Sequence, residues 1–482
     1  MNYMDIVGII MTAIGAYLLI YPLQYAVLFI IGMCSKPKIF PRCDEKLKYG
    51  MVVAARNEEK VIGGLIDSIR KADYPQDKLE VFVMAHNCTD RTAEIAREHG
   101  AIVFEYNNPN EKTKGYALKK AFELIDQNYG ISSFDGYHIF DADNILDKDY
   151  VTKMNDAFLY YDKKRPIMGY RNSKNFGENT QTAMYGVLYA AECRFEDVAR
   201  SRLDISVRLI GSGFVVSNEM VKEGWDCVIM SDDVDFSAEQ VLKGEKVAYC
   251  NEAMYYDEHP TTFKAMWRQR FRWTKGVILV GAKRWNSLVK NLFRSKKAGS
   301  LNESTKPPKR ISTIDLMFKF TPIALLGFIG VIIDIILVAL APLFGCEIKE
   351  HMVRLLITVV ISTVLGYGGL VFCPIACYIY ERKRIVGVSL WTKIKSAIMF
   401  PFFIFLLLPQ QLIAIFSGKL EWKQIVHSDE SNFETFNTIT KQIQNYKSKG
   451  DKKMKTVVLS GGSGNDTMVK GLKSLNGGGY SI

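Results

Sequence analysis

Hydrophobic positions follow two regimes along the chain. At both ends they run on almost unbroken, and in the middle they come in short bursts between helix-period stretches. Residues 4–33 are apolar for roughly a bilayer's helix length, interrupted only by Pro22. The run is too long for a signal-peptide core and lacks a cleavage-like end, so it predicts an uncleaved membrane helix. No Lys or Arg precedes it, whereas Lys36, Lys38 and Arg42 follow. The positive-inside rule then puts the N-terminus outside and the following residues in the cytosol. Residues 314–344, 352–380 and 396–416 are each long enough to span. Glu381, Arg382, Lys383 and Arg384 mark a cytosolic loop after the second of these. Pro401 and Pro409 predict a kinked or re-entrant third run. Four full crossings would leave the basic stretch 447–455 outside, which favours a last segment that does not cross fully.

From about residue 47 the pattern predicts strands at 49–54, 79–84, 101–105 and 136–140. Helices are predicted at 57–71, at 90–99 capped by Thr89 or Asp90, and at 115–125. Strands alternating with helices imply a doubly wound, mostly parallel α/β sheet. A helix is expected at 234–243. Residues 262–287, rich in Trp, Arg and Lys, suit a helix at the membrane interface. A basic linker with Pro307 and Pro308 follows at 296–310. The expected organisation is a membrane helix at 1–45, a catalytic α/β domain at 46–255, interface helices and linker at 256–310, a membrane region at 311–418 and a cytosolic tail at 419–482.

The 482 residues carry a formal charge of +11, much of it in residues 283–310 beside predicted membrane segments. That placement suits anionic lipid or phosphate-rich substrates. No recognition motif for nucleic acid accompanies it. Nine cysteines lack any CxxC or metal-type spacing, which implies reduced thiols in a cytosolic setting.

The chemistry centres on Asp141-Ala142-Asp143, which closes the apolar run beginning at Tyr137. In a strand, side chains at i and i+2 point the same way, so both carboxylates would face the crevice where open α/β sheets bind ligands. A hard cation, Mg²⁺ or Mn²⁺, carrying a phosphate would relieve their repulsion. A pair of solvated turn aspartates is the alternative. Ser231-Asp232-Asp233 opens a helix, where acids are favoured anyway. Asp232 and Asp235 would raise the pKa of Asp233 by like-charge repulsion. Lys114 is a compact cation suited to phosphate, or a solvated lysine beside Lys112. Gln269, Arg272 and Trp273 lie on one helical turn, where Arg272 can pair with an anion and Trp273 offers a flat apolar face; a basic membrane-surface helix with an aromatic anchor is the alternative.

Taken in order, Val52 to Glu59, Ala85 to Asp90, Lys114 to Leu118, Asp141-Ala142-Asp143, Ser231-Asp232-Asp233 and Gln269 to Trp273 resemble the family 2 glycosyltransferases, in particular the membrane-embedded cellulose, chitin and hyaluronan synthases. The resemblance covers residues 49–276. It implies a GT-A-like fold with interface helices and about four transmembrane helices. It implies that Ala54, Asn57, Glu58, His86, Asp90, Lys114 and Asp141 bind a nucleotide sugar, with His86 where related enzymes carry an acid. Asp143, with Asp141, would hold Mg²⁺ or Mn²⁺, and Asp233 would be the general base. Gln269, Arg272, Trp273 and the small-residue loop Gly211-Ser212-Gly213 would meet diphosphate and acceptor. One base without a carboxylate nucleophile implies inversion. The implied partners are a UDP-sugar, a growing β-glycan or a lipid-linked acceptor, and the bilayer; accessory export subunits stay open. A catalytically inactive nucleotide-sugar-binding scaffold is the rival from another class. Separately, residues 456–464, a strand and a glycine-rich turn, resemble the opening of the phospho-lactate transferase-like family and are expected to be an inactive appendage.

Overall fold

Eight strands form one sheet: β1 (Tyr49–Ala55), β2 (Leu79–His86), β3 (Ile102–Tyr106), β4 (Gly136–Asp141), β5 (Ile145–Leu146), β6 (Ile167–Ser173), β7 (Phe214–Ser217) and β8 (Ala248–Asp257). The computed structural model describes residues 3–293, 310–345 and 348–417. The basic linker before Arg310 and the glycine-rich stretch 456–464 lie outside the described residues. Strand order is β3-β2-β1-β4-β7-β6-β8-β5. The first four strands pair in parallel. β7 then pairs antiparallel with both β4 and β6, while β6 and β8 are again parallel. Helices Ile62–Arg70, Thr92–Glu98 and Lys114–Tyr129 link the parallel half. Its strands are covered on both faces, which is why β1 and β2 read as continuous apolar runs.

The expected strands and helices of this half are present. The helix expected from residue 57 begins at Ile62 instead. Asn57 takes a left-handed backbone with φ 56°, and its side-chain oxygen accepts from the Thr89 backbone at 2.7 Å. The helix expected at 234–243 starts earlier, at Asp232. Strands β6, β7 and β8 were not legible as strands: β7 has four residues, and β8 carries a bulge opposite Gly169 and Tyr170.

A second apolar cluster joins this domain to the apolar helices, with Tyr185, Phe195, Met266 and Phe403 buried together. Phe195 lies on a π-helical stretch, Glu192–Asp197, that continues the helix Thr180–Ala191. Its ring meets Phe29 of the helix Tyr3–Cys34 with centroids 4.2 Å apart. Arg194 donates to the Gly32 carbonyl at 2.8 Å and approaches Glu381 at 3.4 Å. Among the described residues, three segments are long and apolar enough to cross a membrane: Leu325–Phe344, Thr363–Tyr380 and Leu390–Phe416.

The third of these breaks into two helices, Leu390–Phe405 and Leu407–Phe416. It is seated along the catalytic domain. Gly387 and Val388 press on Gly177, Arg270 donates to the Phe403 carbonyl, and Lys275 donates to the carbonyls of Ala414 (2.6 Å) and Ser417 (2.7 Å). Lys275 thus satisfies the helix's final carbonyls and its negative end.

A further tie is ionic. Arg200, with no solvent exposure, meets Asp315 at 3.1 Å, Glu196 at 3.0 Å and Asp197 at 3.3 Å, linking Val198–Arg202 to the helix Arg310–Phe320. Removing one partner from a buried ion cluster strands the others. Arg200→Ala should lower stability by about 3–5 kcal/mol; thermal unfolding of detergent-solubilised protein at the wild-type midpoint would refute this.

Candidate active site

The chain reverses its winding direction between β1 and β4. From β1 the next strands, β2 and β3, are laid to one side; β4 returns to the other. At such a switch point the loops after the two strands part and leave a crevice. Ala54 and Ala55 end β1 on one side of it, and Asp141 ends β4 on the other, with Ala54 and Asp141 opposite each other in register. A cavity of 490 Å³ opens there.

Asp141, Ala142 and Asp143 line it, as do Lys114, Asp232 and Asp233. Lys114 is the first residue of its helix, and its ammonium lies 2.5 Å from Asp141 Oδ1 and 2.8 Å from the Gly211 carbonyl. The ion pair with Lys114 outweighs burial and holds the Asp141 carboxyl below the usual carboxylate range. Gly211 sits at φ 80°, in the left-handed region that glycine adopts at little cost. Its N–H donates to Asp233 Oδ2 at 2.6 Å while its carbonyl accepts from Lys114. One backbone unit therefore connects the two acidic groups across the crevice.

Asp232 and Asp233 form the first turn of the helix Asp232–Leu242. Burial pushes both carboxyls up, Asp232 to about 8. For Asp233 the upward push is chiefly burial, opposed by the Val234 and Gly211 N–H groups. Asp235, expected to add to that push, is not among the main causes and is paired with Lys283 at 2.7 Å and Arg284 at 2.6 Å. Just before, Ser231 takes φ 76°. Gly276 packs its backbone on Ser231 and Met230, where any side chain would collide. The helix Phe263–Phe293 can approach only because residue 276 is glycine, and this approach brings Gln269, Arg272 and Trp273 into the cavity wall.

Trp273 stands edge-on to Tyr185 and Tyr189, with centroids 6.1 and 6.3 Å away. The Gln269 side-chain oxygen is buried without a hydrogen-bond partner. Ala54, Glu58 and His86 line the other end of the cavity. His86 stacks on Tyr106, and burial and Arg56 hold its imidazole below its ordinary pKa.

Four expected site residues are not among the lining groups. Asn57 and Asp90 brace the neighbouring loops: Asp90 accepts from the Glu59 backbone at 3.2 Å and from Thr92. Ser212 and Gly213 lie under Gly211, with the Ser212 carbonyl accepting from the Tyr255 hydroxyl at 2.8 Å and the Gly213 N–H donating to Ile139. Several lining groups were missed, among them Arg171, Arg208, Glu192 and Asp257. They come from β6, β8, the π-helical stretch and the irregular segment before β7, whose periodicity gave no signal.

Among the described residues no group of three or more His, Cys, Asp or Glu forms a ready metal cage. The hard oxygens of Asp141 and Asp143 at the rim still fit a Mg²⁺- or Mn²⁺-type ion, provided phosphate oxygens supply further ligands. With Asp141 engaged by Lys114, Asp143 is the carboxylate better disposed toward it.

Residues 48–276 match the family model described as glycosyltransferase like family 2. The probable glycosyltransferase YdaM of Bacillus subtilis (strain 168) is 23% identical over 246 residues, 50% of this chain and 57% of that protein. The poly-beta-1,6-N-acetyl-D-glucosamine synthase of Staphylococcus aureus (strain COL) is 25% identical over 282 residues, 54% of this chain and 64% of that protein. The chain thus spans less than two thirds of the length of either relative. Among solved structures, the mannosyltransferase PcManGT from Pyrobaculum calidifontis, in complex with GDP-Man and Mn²⁺, matches with a TM-score of 0.50 at 16% identity, covering 83% of this chain and 99% of that one. That likeness concerns the fold. The family match, the mostly parallel sheet and its switch-point crevice agree: residues 48–276 are similar to a family 2 glycosyltransferase domain and have a GT-A-type fold.

Proposed function

We propose that the protein is a membrane-bound, metal-dependent, inverting glycosyltransferase that moves a hexose or N-acetylhexosamine from a UDP-sugar to a growing β-linked glycan. The observation that carries this reading is the shared cavity: Asp143, Lys114, Asp233, Arg272 and Trp273 all face it. The acetylated sugar draws support from the relative named as a poly-N-acetylglucosamine synthase.

In this reading the nucleotide lies between the end of β1 and His86, and Lys114 and Arg272 face the diphosphate. A Mg²⁺ or Mn²⁺ ion at Asp143 supplies charge neutralisation for the leaving diphosphate. Trp273 stacks on the acceptor sugar. Asp233 accepts the acceptor hydroxyl's proton as that oxygen attacks the anomeric carbon. Attack from the face opposite the leaving group gives a β-linkage from an α-linked donor. Lys114 then has a second role: released from Asp141 by the incoming donor, its charge can follow the phosphate. The seating of Leu390–Phe416 along the catalytic domain supports a last apolar segment that lies at the interface and leaves the tail in the cytosol.

A second reading keeps the chemistry and changes the acceptor. The same cavity reaches Pro322, Ile404 and Leu407 beside the apolar helices, which favours an acceptor carried on a lipid. Product sizing separates the two, since a single-sugar, solvent-extractable product would rule out polymer synthesis.

The direct test is a panel of UDP-sugars with Mn²⁺ or Mg²⁺, scored by UDP release and radiolabel incorporation. Asp233→Asn should cut transfer by about 10²–10⁴-fold, the usual contribution of a positioned base; equal incorporation by both proteins would remove Asp233 from that role. The pH dependence should also be displaced. A base must be deprotonated to act, and burial raises the Asp233 pKa, so kcat/KM should fall on acidification at a pH above the ordinary carboxylate range. A flat profile down to that range would contradict the assignment.

A further inference from the structure

Asp257 lies at the end of β8, outside every motif that the sequence singles out. Its carboxylate is 3% exposed and divides its two oxygens between the two sides of the cavity. Oδ1 accepts from Asn144 Nδ2 at 2.9 Å, and the same amide nitrogen donates to Asp143 Oδ1 at 3.2 Å. The Asn144 oxygen in turn accepts from the Asp141 backbone N–H at 3.2 Å. Asn144 is wholly buried, so its orientation is fixed by these three partners.

On the other side, Oδ2 accepts from Arg171 Nε at 3.1 Å and from Nη2. Arg171 Nη1 donates to the Ile210 carbonyl at 3.0 Å, one residue before the Gly211 N–H that binds Asp233. The Arg171 guanidinium also covers the Tyr189 ring at 4.0 Å, and Tyr189 flanks Trp273. With Lys114 bridging Gly211 and Asp141, these contacts close a ring around the reaction centre. It runs from Asp141 through Lys114 and Gly211 to Arg171, Asp257 and Asn144, and back.

The Arg171–Asp257 pair is buried and two-pronged, the geometry in which an arginine fixes direction as well as charge. A buried pair of this kind is weak evidence of added stability; its use is to specify an arrangement. The carboxylate facing the cation and the base sit on different elements, after β4 and at the start of the helix Asp232–Leu242. They are 90 residues apart in sequence, so contacts across the fold set their separation.

We infer that Asp257 is a positioning residue: through Asn144 and Arg171 it sets the separation of Asp143 from Asp233. The inference rests on the glycosyltransferase reading above and adds a residue to it. Misplacing reacting groups by about 1 Å can cost about 100-fold in rate.

The test uses the full-length protein in detergent or membranes. Asp257→Asn keeps an oxygen for Asn144 and removes the charge facing Arg171. Because it leaves a buried guanidinium unpaired, Arg171→Gln/Asp257→Asn is made beside it, restoring neutrality. Asn144→Ala and the Asn144→Ala/Asp257→Asn pair complete a cycle. For each variant kcat and donor KM are measured, together with the thermal unfolding midpoint and Mn²⁺ binding to the UDP complex by electron paramagnetic resonance.

The expected result is a kcat loss of about 100-fold per folded enzyme with donor KM changed far less. Mn²⁺ binding should weaken in Asp257→Asn, and the Asn144 and Asp257 effects should be non-additive, as for residues acting through one contact. Folded variants that keep kcat within about threefold of wild type would overturn the inference. Failure of every variant to fold would assign Asp257 to stability alone and overturn it as well. A wild-type protein that releases UDP from no donor would defeat the glycosyltransferase reading instead, so the two failures are distinguishable.

Discussion

One ammonium group faces three carboxylates. Lys114 lies against Asp141, and its charge also acts on Asp232 and Asp233 across the crevice. Without it, acids from two separate loops would be confined in a half-buried cavity with repulsion and desolvation acting together. The cost of that burial is visible in the raised carboxyls of Asp232 and Asp233, whereas Asp141, the residue that Lys114 touches, is held low by its cationic neighbours. The site is therefore poised. It holds one carboxylate paired with Lys114 and two whose carboxyls burial raises.

The sheet explains why these groups meet. Its parallel half supplies a switch point, and a crevice follows from topology alone. Its other half, with β7 reversed between β4 and β6, brings Gly211, Arg171 and Asp257 to the same crevice from the opposite edge. Backbone geometry completes the closure: φ 80° at Gly211 aims an N–H at Asp233, and the missing side chain at Gly276 lets the Trp273 helix approach Ser231.

The apolar helices are coupled to this centre by unlike means. Apolar packing joins Tyr185, Phe195 and Phe403, while buried ions around Arg200 and a lysine at a helix end fix angles that packing alone leaves loose. The helix bearing Trp273 takes part in each side of this arrangement. Its Gly276 face meets Met230 and Ser231, its Arg270 and Lys275 hold the broken apolar segment, and Val280 packs with Phe320. Displacement of those helices would act directly on the Trp273 side of the cavity.

Periodicity determined a good deal. Parallel strands buried on both faces need apolar side chains at every position, so β1, β2 and β4 announce themselves, and the alternating helices fix the fold class. The carboxylates of Asp141, Asp143 and Asp233, with Lys114 and the Gln269–Trp273 turn, carry their chemistry in their residue types and order. Long-range contacts leave no such local signature. That Asn57 and Asp90 brace loops, that Asp235 is neutralised by Lys283 and Arg284, and that Asp257 joins Asn144 to Arg171 depended on partners from about 30 to more than 100 residues away. A short antiparallel strand such as β7 is likewise specified by its neighbours more than by its own four residues. The sequence singled out the candidate groups because chemistry resides in side chains; only the tertiary structure brought most of them to one cavity, because distance is fixed by residues remote in the chain.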